Sequence, residues 1–259
     1  MIGQALPLFE SGNLLTKEML TSIRDYSFGF SELLYEGYGN GILKGCKVTT
    51  TEDTIRIGRG IVVYEGKLYL ILNQLIAAYY PTDQLAIFKL QFKDEIRTQG
   101  FIYRELEVMV TNDLELNSHD VEICRFKLQT GSKLRIDYRT FKDRETEYDT
   151  ANMTYTPYAA YGESSLSPDI TIDFARRMMK CKDLTPLDTC FCLQALNTSD
   201  TALSKETISM YIKAKLEMDH LLTERHTLYK HLCTILESAE EGRNIARTRM
   251  TSKNRILID

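Results

Sequence analysis

The fold is decided by residues 39–71, which read GNGILKGCKVTTTEDTIRIGRGIVVYEGKLYLI. Apolar residues alternate with polar ones along this stretch, and glycines interrupt the alternation. A period of two residues is typical of strands that bury one face. Glu65 and Gly66 lie between two such runs, where glycine supplies the positive φ that a two-residue hairpin loop requires. The stretch therefore predicts short antiparallel strands.

The period of two extends well beyond this stretch, over residues 43–138. Its alternating apolar positions are Ile55, Ile57, Leu68, Leu70, Ala86, Phe88, Leu90, Phe92, Ile102, Leu106, Val108 and Val110. Glycines are predicted to serve the turns between strands, namely Gly41, Gly45, Gly60, Gly66 and Gly131. Short strands separated by such turns favour a sandwich or a small barrel.

A short helix is predicted before the strands. Thr16 is a suitable N-cap, and the apolar face of the helix consists of Met19, Ile23, Tyr26 and Phe30. A segment rich in glycine and aromatic residues follows, up to Gly41. Two interpretations are open: the region is an arm that docks on another subunit, or it covers its own β domain. We take the four apolar residues as candidate interface residues.

Helices are predicted again after the strands. Ser167, Thr185 and Ser204 each begin a helix, and the first two are followed by proline at the first helical position. The apolar positions after Ser204 are expected to form one helix of roughly thirty residues. Cys190 is expected in the helical core, and the sequence does not decide whether Cys192 is buried or exposed.

Together these patterns predict an α+β chain with an N-terminal short helix, an antiparallel β sandwich or small barrel, and a C-terminal helical region. The expected divisions are a helix with a glycine and aromatic arm (1–41), a β domain (42–140), a surface-crossing linker (141–168) and a helical domain with a basic tail (169–259). The tail carries Arg243, Arg247 and Arg249. It is either a solvated terminus or a docking segment for an acidic neighbour.

The composition excludes several classes of partner. With 32 basic and 36 acidic residues the formal net charge is −4, so we expect no nucleic-acid partner. No apolar run reaches the roughly 20 residues of a membrane-spanning helix, so we expect no membrane insertion. Six cysteines without a signal peptide favour synthesis in a reducing cytoplasm, with free thiols.

The side chains that carry chemistry do not form a motif. His220 and His231 lie about 16 Å apart along a helix axis, which is too far for one metal ion. The acidic residues at odd positions in 143–149 resemble a calcium loop, but the loop's glycine and final glutamate are missing. We therefore predict no enzyme activity, no metal and no cofactor.

The chain resembles a known class of proteins in two blocks. LPLFESGNLLTKEML (6–20), followed by GILKGCKVT (41–49) and TIRIGRGIVVYEGKLYLI (54–71), is similar to baseplate and fibre-attachment proteins of phage tails and phage-derived contractile particles. EICRFKLQTGSKLRIDYRTFKDRETEYDTAN (122–152) resembles a companion block of such proteins. The resemblance implies a non-enzymatic structural subunit of a symmetric assembly.

Three hypotheses follow for the function. The first is a structural baseplate or tail subunit that joins the tail to a fibre or a neighbouring ring. Its implied partners are other baseplate or tail subunits, a fibre protein and further copies of itself, and its implied location is a virion or phage tail-like particle. The second is a carbohydrate- or surface-binding β-domain protein. The third is a hydrolase that uses the acidic residues of 143–149.

Overall fold

A computed structural model describes residues 6–198 and 201–242. The helices are α1 (Lys17–Leu34), α2 (Pro168–Met178), α3 (Pro186–Asn197), α4 (Lys205–Leu216) and α5 (Arg225–Glu240), with a short 3-10 turn at Lys142–Glu145. The strands are β1 (Gly41–Gly45), β2 (Val48–Thr50), β3 (Thr54–Ile57), β4 (Gly60–Tyr64), β5 (Lys67–Ile71), β6 (Leu75–Ala78), β7 (Leu85–Phe92), β8 (Ile96–Arg97), β9 (Ile102–Tyr103), β10 (Leu106–Thr111) and β11 (Asp120–Lys127).

The strands form three antiparallel sheets and a hairpin. The strand orders are β1-β4-β5, β2-β3-β6 and β10-β7-β11, and β8 pairs with β9. These sheets surround one apolar core and do not join into a closed barrel within the described residues. The predicted α+β class is confirmed, with a helix first, antiparallel sheets next and helices last.

The predicted core positions of β7 are all buried, namely Ala86, Phe88, Leu90 and Phe92, and so are Ile87 and Lys89 between them. On β5 the prediction is wrong for Leu70, which is 63 % exposed, whereas Leu68 is half-buried against a small apolar cluster. Tyr69 and Ile71 are buried instead. The ring of Tyr69 packs edge-on against Phe92, with ring centroids 4.7 Å apart, and so occupies the space a leucine was expected to fill.

The loop between β4 and β5 has the conformation that the sequence indicates. Tyr64 pairs with Lys67, so the loop consists of Glu65 and Gly66 alone. Their φ angles are 49° and 70°, as in the mirror-image turns that match the twist of a hairpin. Gly60 has a different role, since a Cβ there would lie 2.4 Å from the Sγ atom of Cys46. The remaining turn glycines, Gly41, Gly45 and Gly131, also have positive φ.

The chain has a second apolar core, formed by helices α2 to α5. Residues 141–168, which were expected to cross a surface, lie mostly between the β core and this helical core. We call residues 141–168 the seam segment. On the β side, Arg125 donates to both carboxylate oxygens of Glu122 at 2.7 Å, and its guanidinium lies 3.5 Å from the ring centre of Tyr155. On the helical side, Tyr155 stacks on His226, with ring centroids 4.3 Å apart. The segment is polar because it bridges two units through hydrogen bonds and ring contacts.

Further hydrogen bonds hold the seam segment from both sides. Thr156 donates its hydroxyl to the carbonyl oxygen of Ile123, in β11. The hydroxyl of Tyr229, in α5, donates to the carbonyl oxygen of Phe141 at 2.6 Å. Arg144 and Asp173 form an ion pair at 2.8 Å. The β domain and the helices are therefore joined through the seam segment.

The helix starts are confirmed, and the single long helix is wrong. Ser167, Thr185 and Ser204 each accept a hydrogen bond from a backbone N–H of the first turn. The expected long helix is divided into α4 and α5, because Glu217 has a φ of 51° and ends α4 in the left-handed conformation. The connection returns to α4 at Leu222, whose N–H donates to the hydroxyl of Ser209 at 2.7 Å.

Helix α3 buries a different face from the one expected. Cys190 is exposed, whereas Cys192 is buried together with Asp188, Phe191 and Ala195. Since the buried face includes a carboxylate, its polar contacts fix the rotation of the helix. Asp188 accepts hydrogen bonds from the hydroxyl of Tyr211 at 2.7 Å and from Nζ of Lys215 at 2.6 Å, and also from both donor groups of Thr185. The prediction that Cys190 lies in the core is wrong for this reason.

Gly66→Val is expected to lower the free energy of unfolding by about 1–3 kcal/mol, because valine resists a positive φ. The matched control is Gly100→Val, in the turn between β8 and β9. Both glycines have open space around the position of a Cβ, but only Gly66 has a positive φ. Urea denaturation of both variants makes the measurement. Equal stability of the two variants would contradict the turn assignment.

Asp188→Asn is expected to lower the free energy of unfolding by about 3 kcal/mol at pH 7, because it removes a buried carboxylate and leaves the half-buried Lys215 without its anion. Burial alone would raise the pKa of Asp188, but hydrogen bonds from Lys215, Thr185 and Tyr211 outweigh it and lower that pKa. Its stabilisation is therefore present above the unfolded pKa of about 3.9 and is lost as the pH falls through the folded pKa.

Urea unfolding from pH 7 down to pH 2 checks this expectation, with the exposed Asp183→Asn as the control. The control should stay within about 0.5 kcal/mol of the parent chain throughout. The difference in unfolding free energy between the parent chain and Asp188→Asn should become smaller in acid. A difference that stays the same down to pH 2 would contradict the role given to the carboxylate.

Candidate interaction surface

The first helix, α1, has no buried residue. It begins as predicted, because the hydroxyl of Thr16 accepts a hydrogen bond from the N–H of Met19 at 3.3 Å. Three of the predicted interface residues, Ile23, Tyr26 and Phe30, are 40, 53 and 55 % exposed, and the fourth, Met19, is half-buried. The helix therefore presents large apolar side chains to the outside of the chain.

These side chains lie in one narrow row. Residues spaced alternately by four and three lie on one side of a helix, and the row consists of Met19, Ile23, Tyr26, Phe30 and Leu33. We call this row the α1 stripe. The rings of Tyr26 and Phe30 stack on each other with centroids 5.9 Å apart, so they form a continuous apolar surface. Leu33 was not predicted, although the same spacing points to it.

The polar side of α1 is the side held by the β domain. Glu32 and Arg104 form an ion pair at 3.9 Å, and Glu32 lies away from the stripe around the helix. Just after the helix, Tyr35 and Tyr38 pack on a small cluster that contains Leu43 and Val63. The chain thus anchors α1 near its C-terminal end and leaves the α1 stripe exposed from Ile23 to Leu33, while Met19 is half-buried beside residues 9–15.

A second exposed apolar region lies on the β8–β9 hairpin. Ile96, Phe101, Ile102 and Tyr103 are all exposed, and Ile102 was expected in the core. The hairpin is held from one side by Glu95, which pairs with Arg104 at 3.2 Å. Sequence analysis missed this region because each strand has only two paired residues. The available signal was Gly100, in a turn between two short apolar pairs.

The acidic residues of 143–149 do not converge on a metal site. Asp143 pairs with Arg135 at 2.6 Å, and hydrogen bonds from this guanidinium hold the pKa of Asp143 well below its usual range. Glu145 contacts His226 at 3.1 Å, and Glu147 pairs with Lys127 at 3.3 Å. Within the described ranges, no group of three or more histidine, cysteine, aspartate or glutamate side chains is arranged to hold a metal ion. The expectation of no metal site and no enzyme activity remains a prediction.

His226 is the histidine most closely held by other side chains. Its Nδ1 atom lies 2.9 Å from the hydroxyl of Thr154, and its ring packs on Tyr155. Burial lowers the pKa of His226 to about 4, and the charges of Lys230 and Arg125 act in the same direction. The imidazole is therefore neutral at pH 7 and is part of the joint between the two units.

The other predicted interface residues are Arg243, Arg247 and Arg249 of the basic tail. They lie outside the described residues, so their docking role stays a prediction. Among the described helices, none is both long enough and apolar enough to span a bilayer. The described part of the chain thus offers the α1 stripe as its most regular apolar surface.

Among the comparisons with known proteins, only the comparison with solved structures gives matches. No family model matches the chain, and no curated protein matches it significantly. A chain of the TssK-TssF-TssG baseplate subcomplex of the type VI secretion system has 10 % identity and a TM-score of 0.39, over 92 % of this chain and 100 % of that one. A chain of the type VI secretion baseplate complex has 11 % identity and a TM-score of 0.43, over 91 % of this chain and 70 % of that one.

A third similar structure is a crystal structure of TssK, with 9 % identity and a TM-score of 0.40, over 93 % of this chain and 69 % of that one. These structural neighbours are therefore type VI secretion baseplate proteins and TssK. TM-scores at this level do not assign a function to the present chain.

Replacing Ile23 and Tyr26 together with serine is expected to leave the dilute chain folded, with each change worth no more than about 0.5 kcal/mol, because both side chains are exposed. The contrasting variant is Phe174→Ser, in the fully buried helical core, which should cost about 3 kcal/mol or more. Urea denaturation compares the two. A large loss in the α1 variant would show that the stripe packs within its own chain.

Proposed function

We propose that the chain is a non-enzymatic structural subunit of a baseplate, in a phage tail or a phage-derived contractile particle. In this role it joins the tail to a fibre or to a neighbouring ring. The resemblance of residues 6–20, 41–71 and 122–152 to such proteins supplies the class of assembly. The α1 stripe supplies the means of attachment, and it is the observation that carries the proposal.

A helix of 18 residues that buries none of them gains little from its own chain. Isolated helices of this length are marginal in water, and most helix stability comes from packing an apolar face. Large exposed apolar patches are unfavourable for a monomer and usually mark an interaction site. The stripe is therefore best explained by a neighbouring molecule that covers it in the assembly.

The polar groups of the chain support a structural role. Two charged groups with little exposure are each paired with an opposite charge: Lys89 with Asp120 at 2.6 Å, and Asp188 with Lys215 at 2.6 Å. Such pairs hold elements of the scaffold in position. In the seam segment, the pairing of Arg144 with Asp173 likewise joins elements of the scaffold.

The proposal is tested by incorporation into particles. Ile23→Ser with Tyr26→Ser should fold and yet be absent from purified particles, because the docking surface is lost. Phe28→Ser is the matched control, since Phe28 is also an exposed aromatic residue of α1 but lies on the opposite side of the helix. Mass spectrometry and electron microscopy of the particles measure incorporation.

Two results would contradict the proposal. The first is that particles purified from cells that make the unaltered chain do not contain this chain. The second is that the double variant is incorporated as well as the Phe28→Ser control, which would separate the stripe from assembly.

A further inference from the structure

We propose that the molecule covering the α1 stripe is a second copy of the chain, whose own stripe lies antiparallel to the first. This inference rests on the proposed function in one respect: both require that the stripe is covered by another molecule. It adds the identity and orientation of the occupant. The order of side-chain sizes along the stripe favours this occupant and this orientation.

The first four residues of the stripe are two aliphatic side chains followed by two aromatic ones, and Leu33 ends the stripe, where it would face Thr16 of an antiparallel copy. Met19 and Ile23 come first, and Tyr26 and Phe30 follow. In an antiparallel pair centred between residues 24 and 25, Met19 of one copy faces Phe30 of the other, and Ile23 faces Tyr26. Every layer then contains one smaller and one larger side chain, so the helix axes keep an even separation.

A parallel pair would pack less evenly. Identical residues would meet, giving aliphatic layers at Met19, Ile23 and Leu33 and a Tyr26 pair and a Phe30 pair between them. Close packing of the aliphatic layers would then crowd the two aromatic layers. The order of sizes thus favours the antiparallel arrangement.

The residues that flank the stripe permit a close approach of two identical helices. Ser22 and Gly29 lie along one edge, and Leu20, Ser27 and Leu34 lie along the other. The hydroxyl of Ser27 already donates to the carbonyl oxygen of Ile23 at 2.8 Å, so covering it leaves no unmade hydrogen bond.

The charges of α1 are compatible with a partner of the same sequence. Its charged residues are Lys17, Glu18, Arg24, Asp25 and Glu32, and none of them borders the stripe. Arg24 and Asp25 pair with each other at 2.5 Å within the same helix. A second copy therefore meets no like charge at the contact, and an oppositely charged partner has no charge there to recognise.

The attachment of α1 leaves room for this pair. The helix joins the β domain at its C-terminal end, so an antiparallel pair places the two β domains at opposite ends. For 18 residues the separation along the axis is about 27 Å. A parallel pair would bring both β domains to the same end.

The area is sufficient for a specific contact. Seven apolar side chains of each helix would be covered: Met19, Leu20, Ile23, Tyr26, Phe30, Leu33 and Leu34. At roughly 85 Å² each, two copies bury about 1,200 Å², at the lower limit for a specific interface. The contact is isologous, so it closes as a dimer and does not propagate.

Site-directed cross-linking of the full chain tests the orientation. The background carries Cys181→Ser and Cys190→Ser, because these native thiols are the half-buried and exposed ones. One tagged chain carries Met19→Cys and a differently tagged chain carries Phe30→Cys, because these positions face each other in the antiparallel pair whereas each lies about 16.5 Å along the axis from its own counterpart. A short bismaleimide should cross-link the mixture into the mixed dimer several-fold more than it cross-links either chain alone.

Three outcomes would overturn the inference. They are equal cross-linking of Met19→Cys with itself, which indicates a parallel pair; equal cross-linking by Phe28→Cys on the opposite side; and no cross-linked dimer in any sample. If no dimer forms but incorporation into particles still requires Ile23 and Tyr26, the occupant is another protein and the proposed function stands. If the dimer forms but incorporation is unaffected, the proposed function fails and the inference stands.

Discussion

The stack of Arg125, Tyr155 and His226 is the contact on which the arrangement of the chain depends. Arg125 belongs to the β sheet, Tyr155 to the seam segment and His226 to the start of α5, so three parts of the chain meet in one column. Glu122 fixes the guanidinium with two hydrogen bonds, and burial keeps the imidazole neutral. Because the interactions are stacked and hydrogen-bonded, they constrain direction as well as distance. The β domain and the helices are joined at this column.

Helix α1 differs from the helices of the C-terminal region in how much of its surface is buried. Every other described helix buries an apolar face, whereas α1 buries none and is attached through an ion pair and two tyrosines near its C-terminal end. Beneath β5 the rings of Tyr64, Tyr69 and Phe92 pack on one another, and no residue of the stripe belongs to the β core. The chain therefore presents an amphipathic helix outward, and a function based on assembly accounts for its cost in exposed apolar surface.

Much of the fold could be predicted because its signals are local. N-caps at Thr16 and Thr185, the alternation on β7 and the glycine after Glu65 each depend on a few neighbouring residues. Predictions failed where local signals were silent: β5 is apolar at every position from Leu68 to Ile71, so its period could not show which face is buried. Likewise Glu217 adopts a left-handed conformation without a glycine to announce it, and only the tertiary contacts of Asp188 decide between Cys190 and Cys192. The spacing of the stripe was visible in the sequence, but its exposure was not.

A docking role for α1 requires that another molecule covers the α1 stripe when the chain is assembled. The most direct measurement is amide hydrogen exchange over residues 17–34, in the dilute isolated chain and in purified particles. Exchange reports the local opening of backbone hydrogen bonds, which packing of an apolar face suppresses. We expect much slower exchange of these residues in the particle than in the isolated chain, while the exchange rate of the buried strand β7 changes little. Equal exchange of residues 17–34 in the two states would contradict it.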